Sequence, residues 1–217
     1  MQEIFPGVFS EGKKLFTLNL TPGRSQYEKS LKKIGGKEYR EWDPYHSKAA
    51  AAIAKGLKNF AVKKGIKILY LGIANGTTAS FFSDIIGKEG VIYGVEISER
   101  SIRDLNPIAE QRGNIVPILA NAKTPEQYNW IEKADVVFQD VAADDQSEIL
   151  IRNCEIFLKH DGFALLSLKS RSIDVTKDPK KVFKEEEAKL AKHFKVVEKI
   201  ELEPFEMDHI FFVLKMK

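Results

Sequence analysis

From residue 67 onward the chain alternates short apolar runs with amphipathic stretches, five times over. No other feature limits its fold so strongly. The runs 67–71, 90–97, 114–119, 134–138 and 163–168 are largely continuous in apolar character, as strands covered on both faces require. Between them lie helical patterns: Phe81, Phe82, Ile85 and Ile86; residues 98–112; a segment opened by Thr124 and Gln127 at capping-box spacing; and Leu150, Cys154, Phe157 and Leu158. Asp178-Pro179 starts a further helix through Val182, Phe183, Leu190 and Phe194. The last two runs, 196–202 and 210–214, are joined too tightly for a helical crossover and should pair antiparallel. The expectation is an α/β chain with a mostly parallel sheet, an antiparallel last strand and helices on both faces.

The first 42 residues read differently. Strands over 8–10 and 14–20 flank Gly12, and strands over 27–34 and 37–42 flank the hairpin signal Gly35-Gly36. This predicts a small antiparallel β lobe over 1–42, too slight to bury a core alone and therefore leaning on the domain over 43–217. Asp43 as cap and Pro44 as first helical residue then open a helix with a stripe of Ala49, Ile53, Leu57 and Phe60. A single cysteine excludes an internal disulfide framework and fits a reducing cytosol. No apolar run reaches the roughly 18 residues of a membrane span, and the opening Met-Gln-Glu-Ile-Phe-Pro-Gly shows no secretion signal. Lys and Arg total 34 against 31 Asp and Glu, a net charge of +3 that admits an anionic partner without demanding one. Charged residues at 30% also suit a heat-adapted surface.

In sheets of this kind ligands bind beyond the carboxyl ends of the strands, so those positions carry the chemistry. The first strand runs into Gly72 and then Gly76-Thr77-Thr78, a turn that lets backbone approach a ligand at a helix N-terminus. Ala74 occupies the middle glycine position of the dinucleotide fingerprint, a poor match. Glu96-Ile97 ends the second strand, where a carboxylate accepts ribose hydroxyls in nicotinamide and adenosylmethionine sites alike. Asn121-Ala122 follows the third strand, where an Asn carbonyl could accept from an adenine amino group. Asp140, Val141, Ala142 and Ala143 follow the fourth strand, Lys169 the fifth, and His209 heads the last. Lys29, Lys32, Lys33, Lys37 and Arg40 lie near the lobe hairpin and could touch phosphates, though a solvated hairpin surface explains them equally well.

Several segments together resemble fibrillarin: Tyr39-Arg40-Glu41-Trp42-Asp43-Pro44 with Ser47-Lys48, Leu69-Tyr70-Leu71-Gly72 through Gly76-Thr77-Thr78-Ala79-Ser80, Asp140-Val141-Ala142, and Lys169-Ser170-Arg171-Ser172-Ile173-Asp174-Val175-Thr176. Leu202-Glu203-Pro204-Phe205 with Asp208-His209 extends the likeness over nearly the whole chain. Without the Gly/Arg-rich tail of eukaryotic members, the chain is similar to the archaeal form. The resemblance implies a Rossmann-like class I methyltransferase sheet and S-adenosylmethionine as cofactor. It further implies methylation of ribose 2′-hydroxyls in rRNA and tRNA at sites chosen by C/D-box guide RNAs, in the archaeal cytosol. Its implied partners are a Nop-domain scaffold protein, a kink-turn-binding ribosomal-type protein and the guide RNA. It carries a Lys-Asp-Lys-His arrangement onto Lys48, Asp140, Lys169 and His209, and cofactor contacts onto Gly72, Gly76, Thr77, Thr78, Glu96, Ile97, Asn121, Ala122 and 140–143. In those roles Lys169 binds and helps deprotonate the hydroxyl, Asp140 orients it, and Lys48 and His209 steer the ribose and its phosphate. Crowded cations there should push a lysine pKa down. The family usually has Asp at 121 and Glu at 139, where this chain has Asn121 and Gln139. Competing readings are an NAD(P) oxidoreductase, a non-catalytic RNA-particle subunit and a small-molecule O-methyltransferase.

Overall fold

A computed structural model describes residues 1–24 and 26–217. The chain opens with β1 (Gln2–Phe5), β2 (Val8–Glu11), β3 (Lys14–Leu18), β4 (Leu31–Ile34) and β5 (Lys37–Trp42), paired antiparallel in the order β1-β2-β3-β5-β4. Next come α1 (Lys48–Ala54), β6 (Lys67–Leu71), α2 (Thr77–Ile86), β7 (Val91–Glu96), α3 (Glu99–Arg112) and β8 (Ile115–Leu119). A 3-10 turn, Pro125–Tyr128, precedes β9 (Ala134–Gln139), α4 (Gln146–Phe157) and β10 (Leu158–Lys169). Then α5 (Ser170–Ile173), α6 (Pro179–His193), β11 (Phe194–Glu201) and β12 (His209–Met216) complete the chain. The second sheet runs β11-β12-β10-β9-β6-β7-β8, parallel from β10 to β8, with β12 antiparallel to both neighbours. The sequence expectation for this sheet is met.

Local details depart from it. β1 joins the lobe although its sequence carries no alternation, and the strand expected over 27–34 spans only Leu31–Ile34. Asp43 does not cap α1: its carboxylate accepts Tyr45 N–H at 3.0 Å and pairs with Lys29, which spends it on a turn. Ser47 caps the helix instead, accepting from Ala50 N–H, and Leu57 and Phe60 are buried beyond the helix end. The capping box at Thr124 is likewise absent. The Thr124 hydroxyl donates to Asn121 O and Gln127 accepts from Asn121 N–H, so both side chains close a turn rather than start an α-helix. Leu158 and Phe194, expected to end helices, each begin a strand.

Each sheet face packs a layer of its own. On one, Tyr70, Phe82 and Phe138 form a ring cluster that continues to Trp42 and Phe81. On the other, Leu71, Val137, Leu150, Leu166 and Phe212 are wholly buried. Such side chains each contribute about 1.5–3 kcal/mol by leaving water. Cys154 lies in this second layer, where burial pushes its thiol pKa well up.

The lobe sits on α2 through Asp84. This buried carboxylate accepts from Arg40 Nη1 at 2.7 Å, Arg112 Nη1 at 2.8 Å, Thr17 Oγ1 at 2.7 Å and Leu20 N–H at 2.9 Å. Arg40 is therefore fully buried and is not a phosphate contact. Lys29, Lys32 and Lys33 pair with Asp43, Glu11 and Glu38.

Candidate active site

Two glycines let the strand ends come together. Gly72 follows β6 at φ +77°, and a Cβ there would lie 2.5 Å from the carbonyl oxygen of Asp140. Only glycine permits that approach, and Asp140 N–H donates back to Leu71 O at 3.0 Å. Gly76, at φ +89°, starts α2 and leaves room for Leu105 of α3, whose Cδ1 would be 2.6 Å from a Cβ. Asp140 is thereby held one residue beyond β9, at the carboxyl rim of the sheet.

A cavity of about 380 Å³ opens along this rim. Of the residues expected to hold a cofactor, Gly72, Glu96, Ile97, Asn121, Ala122, Asp140, Val141, Ala142 and Ala143 line it. Val95, Ala120 and Ile149 add apolar wall. Glu96 does double duty in shaping the mouth: its two oxygens accept from Ala74 N–H and Ser98 N–H, both at 2.9 Å, joining the glycine turn to the start of α3. Asn121 accepts from Lys123 N–H at 2.9 Å, so it is both a turn residue and a lining residue. Gly76, Thr77 and Thr78 stand outside the lining. Thr77 donates to Asn75 Oδ1 at 3.0 Å and Thr78 to Ser47 Oγ at 2.9 Å, which links α2 to the cap of α1.

Of the four side chains expected to act on substrate, Asp140 lines the cavity and Lys48 contacts Asp140, while Lys169 and His209 share a register position at the end of the sheet. Lys48, first residue of α1, places Nζ 3.1 Å from Asp140 Oδ2. Burial opposes its charge, but the Asp140 carboxylate, aided by Glu206, outweighs that, and the pKa of Lys48 is raised. The downward push expected for a lysine here does not apply to Lys48, because the carboxylates beside it outweigh its burial. Lys48 remains an ammonium through neutral pH. Lys169 and His209 face each other as the terminal register pair of β10 and β12, so both project to one side of the sheet. Tyr45 packs edge-on against Phe205 at 5.0 Å, which brings the segment before Lys48 onto the loop that leads to His209.

A buried glutamine, not read from the sequence, fixes Lys169. Gln146 accepts from Lys169 N–H and donates to Lys169 O, each at 3.0 Å, and its own carbonyl accepts from Gln139 Nε2 at 2.7 Å. Gln139 thus supports the end of β10 from beneath. A carboxylate in its place would offer the Gln146 carbonyl no donor unless protonated.

The cavity fits an adenosine-bearing cation: apolar walls for a base, a carboxylate at Glu96 for a ribose diol, and a second carboxylate at Asp140. Comparison with known proteins agrees. The Fibrillarin family profile matches residues 1–217. A fibrillarin-like rRNA/tRNA 2′-O-methyltransferase of Thermococcus gammatolerans is 53% identical over 217 residues, covering 97% of this chain and 96% of the relative. The structure of Aeropyrum pernix fibrillarin in complex with natively bound S-adenosyl-L-methionine superposes with a TM-score of 0.86 at 45% identity, covering 93% of this chain and 88% of that one. The structure of a fibrillarin/Nop5p complex gives 0.90 at 37% identity with full coverage of both chains. With these matches spanning both sheets, the chain belongs to the fibrillarin family.

Proposed function

We propose that this chain, an S-adenosylmethionine-dependent RNA 2′-O-methyltransferase, is the catalytic subunit of a ribonucleoprotein that methylates rRNA and tRNA riboses at positions chosen by C/D-box guide RNAs. The observation that carries the reading is Asp140, which lines the cavity and bonds Lys48 at 3.1 Å, so one side chain joins the pocket to a cation beside it. Family membership argues against the oxidoreductase and small-molecule readings.

S-adenosylmethionine, when bound, supplies a methyl group on a positively charged sulfur. Glu96 and the walls at Ile97, Asn121, Ala122 and 141–143 would hold its adenosine half, with Gly72 allowing close backbone approach. Gly76, Thr77 and Thr78 set the helix start behind that turn. Lys169, acting as the neutral amine, binds the ribose 2′-hydroxyl and takes its proton on Nζ as the oxygen attacks. Asp140 orients the cluster through Lys48, and the Lys48 ammonium with His209 steers the ribose and its adjacent phosphate. Holding the oxygen in line with the methyl accounts for several of the roughly 7–11 kcal/mol available from positioning.

The segment 1–42 serves as an accessory lobe to the methyltransferase domain, 43–217. Most lobe lysines near the hairpin are paired with carboxylates, which supports weak RNA binding by this chain alone. Sequence choice then comes from base pairing by the guide, presented by a Nop-domain scaffold protein and a kink-turn-binding ribosomal-type protein. No helix of the described residues is long and apolar enough to cross a membrane, in keeping with work in the archaeal cytosol. Reconstitution with both partners, a guide and a labelled methyl donor tests this. Methyl should appear at one guide-specified ribose, and equal transfer without guide or partners would overturn the reading.

A further inference from the structure

We propose that Arg171 and Asp208 form a clamp that sets His209 opposite Lys169, making both positioning residues for the methyl transfer; the inference rests on the function proposed above. Pairing of β10 with β12 ends at Lys169 and His209, so the ladder has no further rung to hold that pair in place. What continues it is Asp208. It adopts φ +59°, a left-handed conformation that Asp tolerates better than most residues. Its carbonyl accepts from Ser170 N–H at 3.1 Å and Ser170 Oγ at 3.2 Å. Its carboxylate accepts from Arg171 Nε at 3.1 Å. The same guanidinium donates through Nη1 to Val175 O at 2.9 Å, so one side chain binds the loop after Lys169 to the loop before His209.

The clamp reaches the imidazole through one more bond. His209 Nδ1 lies 2.7 Å from Met207 O. A carbonyl oxygen only accepts, so Nδ1 carries the proton and Nε2 of the neutral ring keeps its lone pair. Met207 precedes Asp208 directly, and the left-handed turn at Asp208 is what lets the Met207 carbonyl meet the ring. Losing Arg171 would free that turn, the tautomer and the ring orientation together. The Arg171 side chain is 41% exposed, so its removal opens no hole in the core.

The test pairs kinetics in the reconstituted particle with 15N NMR of the histidine rings in the free protein. Arg171→Ala should lower kcat on the order of tenfold with KM for the guide-bound target within about twofold, as a displaced catalytic group requires. In the free protein the His209 ring should change from a single Nδ1–H tautomer to a mixture. Asp208→Asn keeps an acceptor and tolerates the left-handed turn, and should recover kcat to within about threefold of the parent. Asp208→Ala should not. An unchanged tautomer, or a raised KM with kcat intact, overturns the clamp. Failure of the parent particle to transfer methyl would sink the functional reading instead, while the ring spectra still decide whether the clamp exists.

Discussion

The two sheets are held by opposite means. The seven-stranded sheet is buried by side chains that need no partner: Leu71, Val137, Leu166 and Phe212 on one face, Phe82 and Phe138 on the other. The lobe instead meets its neighbour through a carboxylate with two guanidinium partners, backed by Trp42 stacked at 5.3 Å on Phe81. A lobe of some forty residues cannot build a dry core, so it borrows α2 and fixes its seat with directional bonds. The difference separates two kinds of vulnerability. In the mechanism proposed above, polar groups at the rim serve the substrate and should be nearly neutral to stability, whereas polar groups under the lobe are structural.

The sharpest way to break this contrast is at the rim. Lys169→Ala should reduce methyl transfer about 10²–10⁴-fold, with calorimetric binding of the methyl donor and the melting temperature unchanged. Near-normal transfer would remove Lys169 from its role. Under the lobe, Asp84→Ala strands two buried guanidinium groups and should destabilise by roughly 3–5 kcal/mol in denaturant titration. An unaltered midpoint would show that the lobe does not depend on its charges. Ser47→Ala lies between the regions: loss of the α1 cap should take about 1 kcal/mol from stability, measured by thermal unfolding. Smallest is a pH effect within the lobe. Gly23 N–H and Asn19 hold the Glu38 carboxyl below its ordinary range. Its stabilisation is therefore present above the unfolded carboxylate value and lost as pH falls through the lower folded one. Glu38→Gln should melt earlier than the parent at pH 7, and the gap should close in acid below about pH 4.

Much of this was legible in the sequence because hydrophobic period and turn chemistry are local. Four of the five β–α units, the antiparallel pair at the end and the hairpin at Gly35-Gly36 follow from patterns within a dozen residues. β1 went unread because Gln2–Phe5 is mostly solvent-facing and carries no alternation. Asp43 misled because a cap and a turn use the same carboxylate, and only the position of Lys29 and Tyr45 N–H decides between them. Arg40 read as a surface cation because its partner, Asp84, is 44 residues away. Most of the cavity lining follows from the sequence, since strand ends in a parallel sheet converge by topology. The supports behind it do not: Gln146 gripping Lys169, Thr78 against Ser47 and Arg171 on Asp208 join residues 23 to 37 apart, and no local period records such pairs.

Cys154 has a practical consequence. A lone thiol sealed in the second core layer, its ionisation suppressed, is silent to maleimides and to oxidants under native conditions. The unmodified chain is thus a ready background for single-site labelling. One cysteine placed on the rim or on the lobe would carry a fluorophore or spin label without competition, so the surroundings of either region can be followed as a particle assembles.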